Sequence, residues 1–170
     1  EDIIVIDKRN EGHGPTLIRG YKEALKFNPK YIFQMDSDNQ IEFSEFIKIY
    51  QFKDEYDLII GKRFQRNDPY IRIIISKILA LVIALFHQVW IIDSNSPFRL
   101  MSNRFLRENI NKSQNSVVPN IILSILAAKI KKIIFLNIIH NKRKTGKTSI
   151  VKLKLFNICI KSFKDIILFK

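Results

Sequence analysis

The chain is short of cysteine, glycine, proline and acid. Of its 170 residues one is a cysteine, Cys159, and five each are glycine and proline. A lone cysteine excludes an intrachain disulfide and fits a reducing compartment. So little glycine and proline, beside 46% hydrophobic residues, excludes a low-complexity or disordered chain. The length suffices for one domain with a sizeable core. Acids number 16 against 29 Lys and Arg, a formal net charge of +13. Such a surplus asks for nucleic acid, an anionic membrane surface or phosphorylated substrates as partner. No RNA- or DNA-binding signature accompanies it, so no nucleic acid is expected. His13, His87 and His140 share no ligand spacing, which argues against a zinc site.

A long hydrophobic run is also lacking. Residues Ile71 to Ile92 are strongly apolar, but Arg72 and Lys77 interrupt the first half and His87 and Gln88 the second. The longest charge-free piece, Ile78 to Phe86, is too short to cross a bilayer. This segment reads as a helix packed on a sheet or lying at a membrane surface.

What is present alternates. Ile3 to Ile6 is a β-branched run and a buried-strand candidate. Asn10 to Pro15 is a turn, and Pro15 suits the first turn of a helix that Leu17, Ile18, Tyr21 and Leu25 continue. Tyr31 to Met35 is the next strand, which makes a βαβ unit with a right-handed crossover. Phe43, Phe46, Ile47 and Tyr50 mark one face of a second helix. Asp57 to Gly61 is a third strand ending in a turn, Asn120 to Ala128 a helix, and Ile133 to Ile139 a strand. Ser149 to Lys170 is a basic amphipathic helix. The fold class expected is α/β, a mostly parallel sheet flanked by helices. In such sheets ligands gather at the carboxyl ends of the strands, where Asp36, Asp38, Gly61 and Arg63 fall.

The stretch Phe33-Gln34-Met35-Asp36-Ser37-Asp38-Asn39-Gln40 puts two carboxylates at a strand end. A calcium loop counted from Asp36 fails, because its glycine and final glutamate positions hold Ile41 and Ile47. Asp38 or Ser44 could cap the following helix. Alternatively Asp36, Asp38 and the Gln40 amide could hold a hard cation, Mg²⁺ or Mn²⁺, that bridges a diphosphate. Arg72 and Ser76, four apart, share one helix face. They make a phosphate clamp, or else a surface arginine and an inward serine. Asp93 opens Asp93-Ser94-Asn95-Ser96-Pro97-Phe98-Arg99, where it could position an acceptor, act as a base or cap a turn. Thr145 to Thr148 resembles a phosphate-loop ending, but Asn141 stands where the earlier glycine is needed.

The segments Asn10 to Gly14, Asp36 to Gln40, Gly61-Lys62-Arg63, Arg72 with Ser76, Asp93 to Arg99 and Arg143 to Ser149, in this order, resemble glycosyltransferase family 2. The likeness is to its dolichyl-phosphate mannose synthase and polyprenyl-phosphate branch and covers nearly the whole chain. The resemblance implies a GT-A-like, Rossmann-like fold. It also implies metal-dependent, inverting transfer of a sugar from a nucleotide-diphosphate sugar to a polyprenyl or dolichyl phosphate. Asp36, Asp38 and Gln40 would be the metal and diphosphate motif, and Asp38 and Asp93 the catalytic acids. Arg63, with Lys62 in place of the family's usual serine, joins Arg72 and Ser76 in holding the acceptor phosphate. Arg143 and Ser149 belong to a late loop over the donor diphosphate. Pro97 stands where family members often carry glycine. The family's leading P-x-Y-N-E-like and D-D-x-S segments do not occur. The expected organisation is therefore an N-terminally truncated catalytic domain at 1–150 and a membrane-surface helix at 151–170. It implies peripheral association with the cytoplasmic face of a membrane. The alternative is a catalytically inactive fragment, or a membrane-associated binding remnant of such an enzyme.

Overall fold

A computed structural model describes residues 3–38, 40–64, 70–141 and 152–169; the side chains of Phe64, Ile71, Arg72 and 152–156 also fall outside the described set. Helix α1 (His13–Lys26) leads to strand β1 (Tyr31–Gln34), α2 (Ser44–Tyr50), β2 (Leu58–Phe64) and α3 (Tyr70–His87). Then come β3 (Arg99–Ser102), α4 (Asn103–Ser113), α5 (Pro119–Lys129), β4 (Ile133–Ile139) and α6 (Lys152–Leu168). The four strands lie in the order β1-β3-β2-β4. Strand β3 pairs antiparallel with both β1 and β2, and β2 pairs parallel with β4.

The architecture is α/β as expected, but the expectation of a mostly parallel sheet is corrected. β1, β2 and β4 run one way, and β3 is threaded between two of them in reverse. The cause is the short segment Arg-Leu-Met-Ser, whose leading arginine disguises a strand that is buried at Arg99, Leu100 and Met101. The strand expected at Ile3 to Ile6 is corrected too. These residues take no regular structure and are exposed, because they pair with no strand. The turn expected at Gly61 is not one either: β2 runs through it to Phe64.

Alternation along the strands builds a core on each side of the sheet. Leu58, Ile60, Ile32 and Met101 face α1, α4 and α5, meeting Tyr21, Leu25, Phe105, Leu106 and Leu123. Ile59, Leu100 and Ile138 face the opposite way, onto Ile49 of α2 and Phe98. A Cβ on Gly61 would come within 2.6 Å of Ile138 Cδ1 and 2.8 Å of Phe98 Cδ1, so only glycine lets β2 sit between them. A third cluster joins α3, α5 and α6 through Ile83, Ile121, Ile125 and Ile166. His87 Nε2 lies 2.7 Å from the Ile166 carbonyl oxygen and ties the end of α3 to α6. In α2 the residues buried are Glu45 and Ile49, while Phe43, Ile47 and Tyr50 are exposed. The face expected to pack there is thus rotated. Glu45 takes the inner position by pairing with Lys48 at 2.7 Å and accepting from Ile139 N at 3.3 Å.

Candidate functional site

Because β3 runs against its neighbours, its first residue lies at the same sheet edge as the last residues of β1, β2 and β4. Arg99 is opposite both Gln34 and Ile60. One edge therefore collects the acidic stretch after β1, the arginine near the end of β2, the loop entering β3 and the chain leaving β4.

The acidic stretch bends directly beyond β1. Asp36 is exposed and Asp38 half-buried. Asp38 Oδ1 accepts from Gln40 N at 3.3 Å, a turn held by its own side chain. No side chain caps α2, so capping does not account for Asp38 or Ser44. Gln40 is locked to the end of β4. Its Nε2 donates to the Asn141 carbonyl at 3.1 Å, and Asn141 N donates to the Gln40 carbonyl at 2.8 Å. Asn141 Nδ2 donates to Glu42 Oε1 at 3.3 Å. The entry to the segment carrying Arg143 and Ser149 is thereby fixed beside the two acids. Arg143 and Ser149 themselves lie outside the described residues, as does the Arg72 side chain. Ser76 is half-buried on α3.

Arg63 and Asp93 form a two-point ion pair. Arg63 Nη2 reaches Asp93 Oδ1 at 2.6 Å and Nε reaches Oδ2 at 3.0 Å, while Arg63 N also donates to Oδ2 at 3.1 Å. The side chains are 15% and 6% exposed. Asp93 sits at φ 52°, a left-handed conformation that aspartate tolerates better than most residues. The loop behind it hangs on β2: Ser96 Oγ donates to the Gly61 carbonyl at 2.6 Å, and Ser96 N to the Asp93 carbonyl at 2.9 Å.

Arg99 is fully buried and donates to backbone carbonyls. Nε reaches Ser96 O at 3.0 Å, Nη1 reaches Asn120 O at 3.0 Å, and Nη2 reaches Ser94 O at 3.0 Å and Ser96 O at 2.6 Å. Burial lowers its pKa, with the nearby Arg63 charge in the same sense and Tyr21 and Asp93 opposing. From Asn120 the network continues. Tyr21 Oη contacts Asn120 Oδ1 at 2.6 Å and Gln34 Oε1, and Asn120 Nδ2 donates to Gln34 Oε1 at 3.1 Å. A hydroxyl has one proton to donate, so the two oxygens share it. Burial pushes Tyr21 up to about 12, against the Arg99 charge and the Asn120 bond. Gln34 ends β1 two residues before Asp36, so this buried chain braces the strand end that carries the acids.

Could these residues hold a cation? Among the described residues no group of three or more His, Cys, Asp or Glu could do so. Asp36 and Asp38 supply hard carboxylate oxygens. One or two carboxylates plus substrate phosphates and water is how Mg²⁺ is commonly held. Such a pair would hold an ion only together with further oxygens from water or a ligand.

Sequence reasoning placed Asp36, Asp38, Gln40, Arg63 and Asp93, and the fold gathers them on one edge. It missed Arg99 as a buried brace and missed the Tyr21, Gln34 and Asn120 ring. A signal existed: Asn120 and Ser124 are the polar residues in an otherwise apolar stretch of α5. It also missed α4, although Ser102 caps it by accepting from Phe105 N at 3.2 Å. Compared with known proteins, the chain matches no family model and no curated protein sequence.

Proposed function

We propose that the chain carries the site of a sugar transferase. It would move a sugar from a nucleotide-diphosphate donor to a polyprenyl or dolichyl phosphate at a membrane surface. The single observation that carries this reading is the shared edge: two carboxylates, a half-buried arginine and the entry to the 142–150 segment meet at the carboxyl ends of parallel strands. In layered α/β sheets that edge is where ligands bind.

Asp36 and Asp38 would hold Mg²⁺ or Mn²⁺ against the donor diphosphate. When bound, the cation neutralises charge on the departing diphosphate. Arg63 presents a planar, permanently charged guanidinium suited to phosphate. Asp93 positions it, gripping one side of the fork and the backbone N–H behind it. An acceptor phosphate has a second pKa of about 6, so it arrives largely ionised near neutrality and needs no strong base. Asp93 thus fits a positioning role better than proton abstraction. The braces at Arg99 and Tyr21 keep the strand ends fixed, as preorganisation requires.

A second reading is favoured by one observation, the thin metal ligand set. In it the chain binds lipid phosphate at the membrane and does not turn over. Incubating the chain with Mg²⁺, a panel of nucleotide-diphosphate sugars and a short water-soluble prenyl phosphate separates the two. Sugar transfer that Asp38→Ala abolishes supports the transferase. Prenyl phosphate binding without any transfer supports the second reading instead.

A further inference from the structure

Helix α3 is apolar on both its inner and its outer face. Its inner face meets α5 and α6 through Leu79, Val82 and Ile83, and His87 is buried there. Its outer face carries Ile74, Ile78, Leu81 and Leu85, which are between 38% and 69% exposed. Their spacing of four, three and four puts them in one stripe, roughly 16 Å long at 1.5 Å per residue. Single exposed aliphatics are ordinary, but a contiguous stripe marks an interaction surface.

We infer that this stripe is the surface by which the chain enters an anionic lipid bilayer, lying in the interface without crossing it. The inference rests on the membrane association proposed above and moves its main contact from the basic C-terminal helix to α3. Three observations select lipid. The stripe runs between an exposed Tyr70 at one end of the helix and an exposed Trp90 just past the other. Such residues favour the headgroup level. From Tyr70 to Ile92 there is no acidic residue, and the exposed Lys77 can lay its stem along the stripe with its charge at the headgroups. On α6, packed beside α3, Lys161 and Lys164 are exposed, while the nearby acid Asp165 turns inward to Ser116 Oγ at 2.9 Å and Val117 N at 2.7 Å.

A second copy of the chain is disfavoured as the occupant, because two bodies of formal charge +13 repel where an anionic leaflet attracts. Crossing is disfavoured as well. No described helix is long and apolar enough to span, and the inner face of α3 is already packed against protein.

The test uses the full chain and vesicles of phosphatidylcholine with phosphatidylglycerol, free of prenyl phosphate and nucleotide sugar. Flotation should show binding to these vesicles. The double variant Leu81→Asp, Leu85→Asp should bind at least tenfold more weakly, and both substitutions fall on exposed positions that leave the core intact. A Leu81→Trp, Trp90→Phe chain, with its sole tryptophan in the stripe, should be quenched by brominated lipid and shift its emission to the blue on binding. Binding that the double variant retains, with the introduced indole unquenched, overturns the inference and leaves the membrane association standing. Absence of binding by the unsubstituted chain overturns both. Sedimentation showing a dimer that the double variant dissolves, without vesicle binding, assigns the stripe to a second copy and also overturns the inference.

Discussion

The two ends of the sheet both hold charged groups, and they use them differently. At the amino ends of the strands, Lys30, Tyr31, Asp54, Asp57, Arg104 and Lys132 line a cavity of about 630 Å³. Its Asp54 pairs are exposed: Asp54, 62% exposed, meets Lys30 at 3.2 Å and Lys53 at 3.4 Å. At the carboxyl ends Asp36 is exposed, but Arg63 and Asp93, joined at two points, and Arg99, wholly enclosed, are withdrawn from water. A hollow lies at the amino end, and a buried ion pair and a buried guanidinium lie at the carboxyl end. Exposed pairs contribute little because water and salt screen them. Buried ones must be satisfied in full, and so they fix geometry.

The sharpest way to break this contrast is to remove a brace. Arg99→Met takes donors from the Ser94, Ser96 and Asn120 carbonyls, of which Asn120 keeps the Ser124 hydroxyl at 2.7 Å. At roughly 1–3 kcal/mol for each stranded buried acceptor, stability should fall by about 3–5 kcal/mol in a denaturant titration. Asp93→Ala is next. It removes the two-point partner of a mostly buried guanidinium and should cost about 2–4 kcal/mol. It should also weaken binding of prenyl phosphate, a readout that a purely structural loss elsewhere would not share.

Alkali probes the same end. Tyr21 has its pKa raised from 10.0 to about 12 by burial. A raised pKa gives stability that is whole below the unfolded value and lost as pH climbs. The Tyr21 contribution should be whole up to about pH 10 and be lost between 10 and 12. Tyr21→Phe should lack that part of the alkaline slope. Asp54→Ala, at the cavity end, should do least. Its carboxyl is held down to about 2, chiefly by the Tyr31 hydroxyl and then by Lys30. Any contribution it makes is present above the ordinary value of 3.8 and vanishes as pH falls through 2. At neutral pH and moderate salt no change in Tm should be resolved.

Much of this was legible in sequence, where period and punctuation are strong. Helices α1, α3, α5 and α6 and strands β1, β2 and β4 follow from runs with the right spacing. β3 was not legible, because Arg99 looks like a loop residue until the fold encloses it and gives it carbonyl partners. The rotated face of α2 was hidden for a related reason. Glu45 can be buried only because Lys48 and Ile139 N satisfy it, and neither bond is visible in a hydrophobic pattern. The candidate acids could be located but not interpreted from DSDNQ alone. The helix cap was removed as an explanation by the cap geometry of α2, and the neighbourhood of Asp36 and Asp38 was supplied by long-range contacts such as Gln40 with Asn141. A reversed strand bringing Arg99 to the same edge has no local signature.

A cation-dependent diphosphate site at the carboxyl edge is the central proposal. The direct measurement is calorimetric titration of nucleoside diphosphates into the full chain, with Mg²⁺ and with chelator. Binding should require Mg²⁺, should be lost in Asp38→Ala, and should persist in Asp54→Ala at the other edge. Binding that is indifferent to Mg²⁺ and to Asp38, or that follows Asp54 instead, would contradict it.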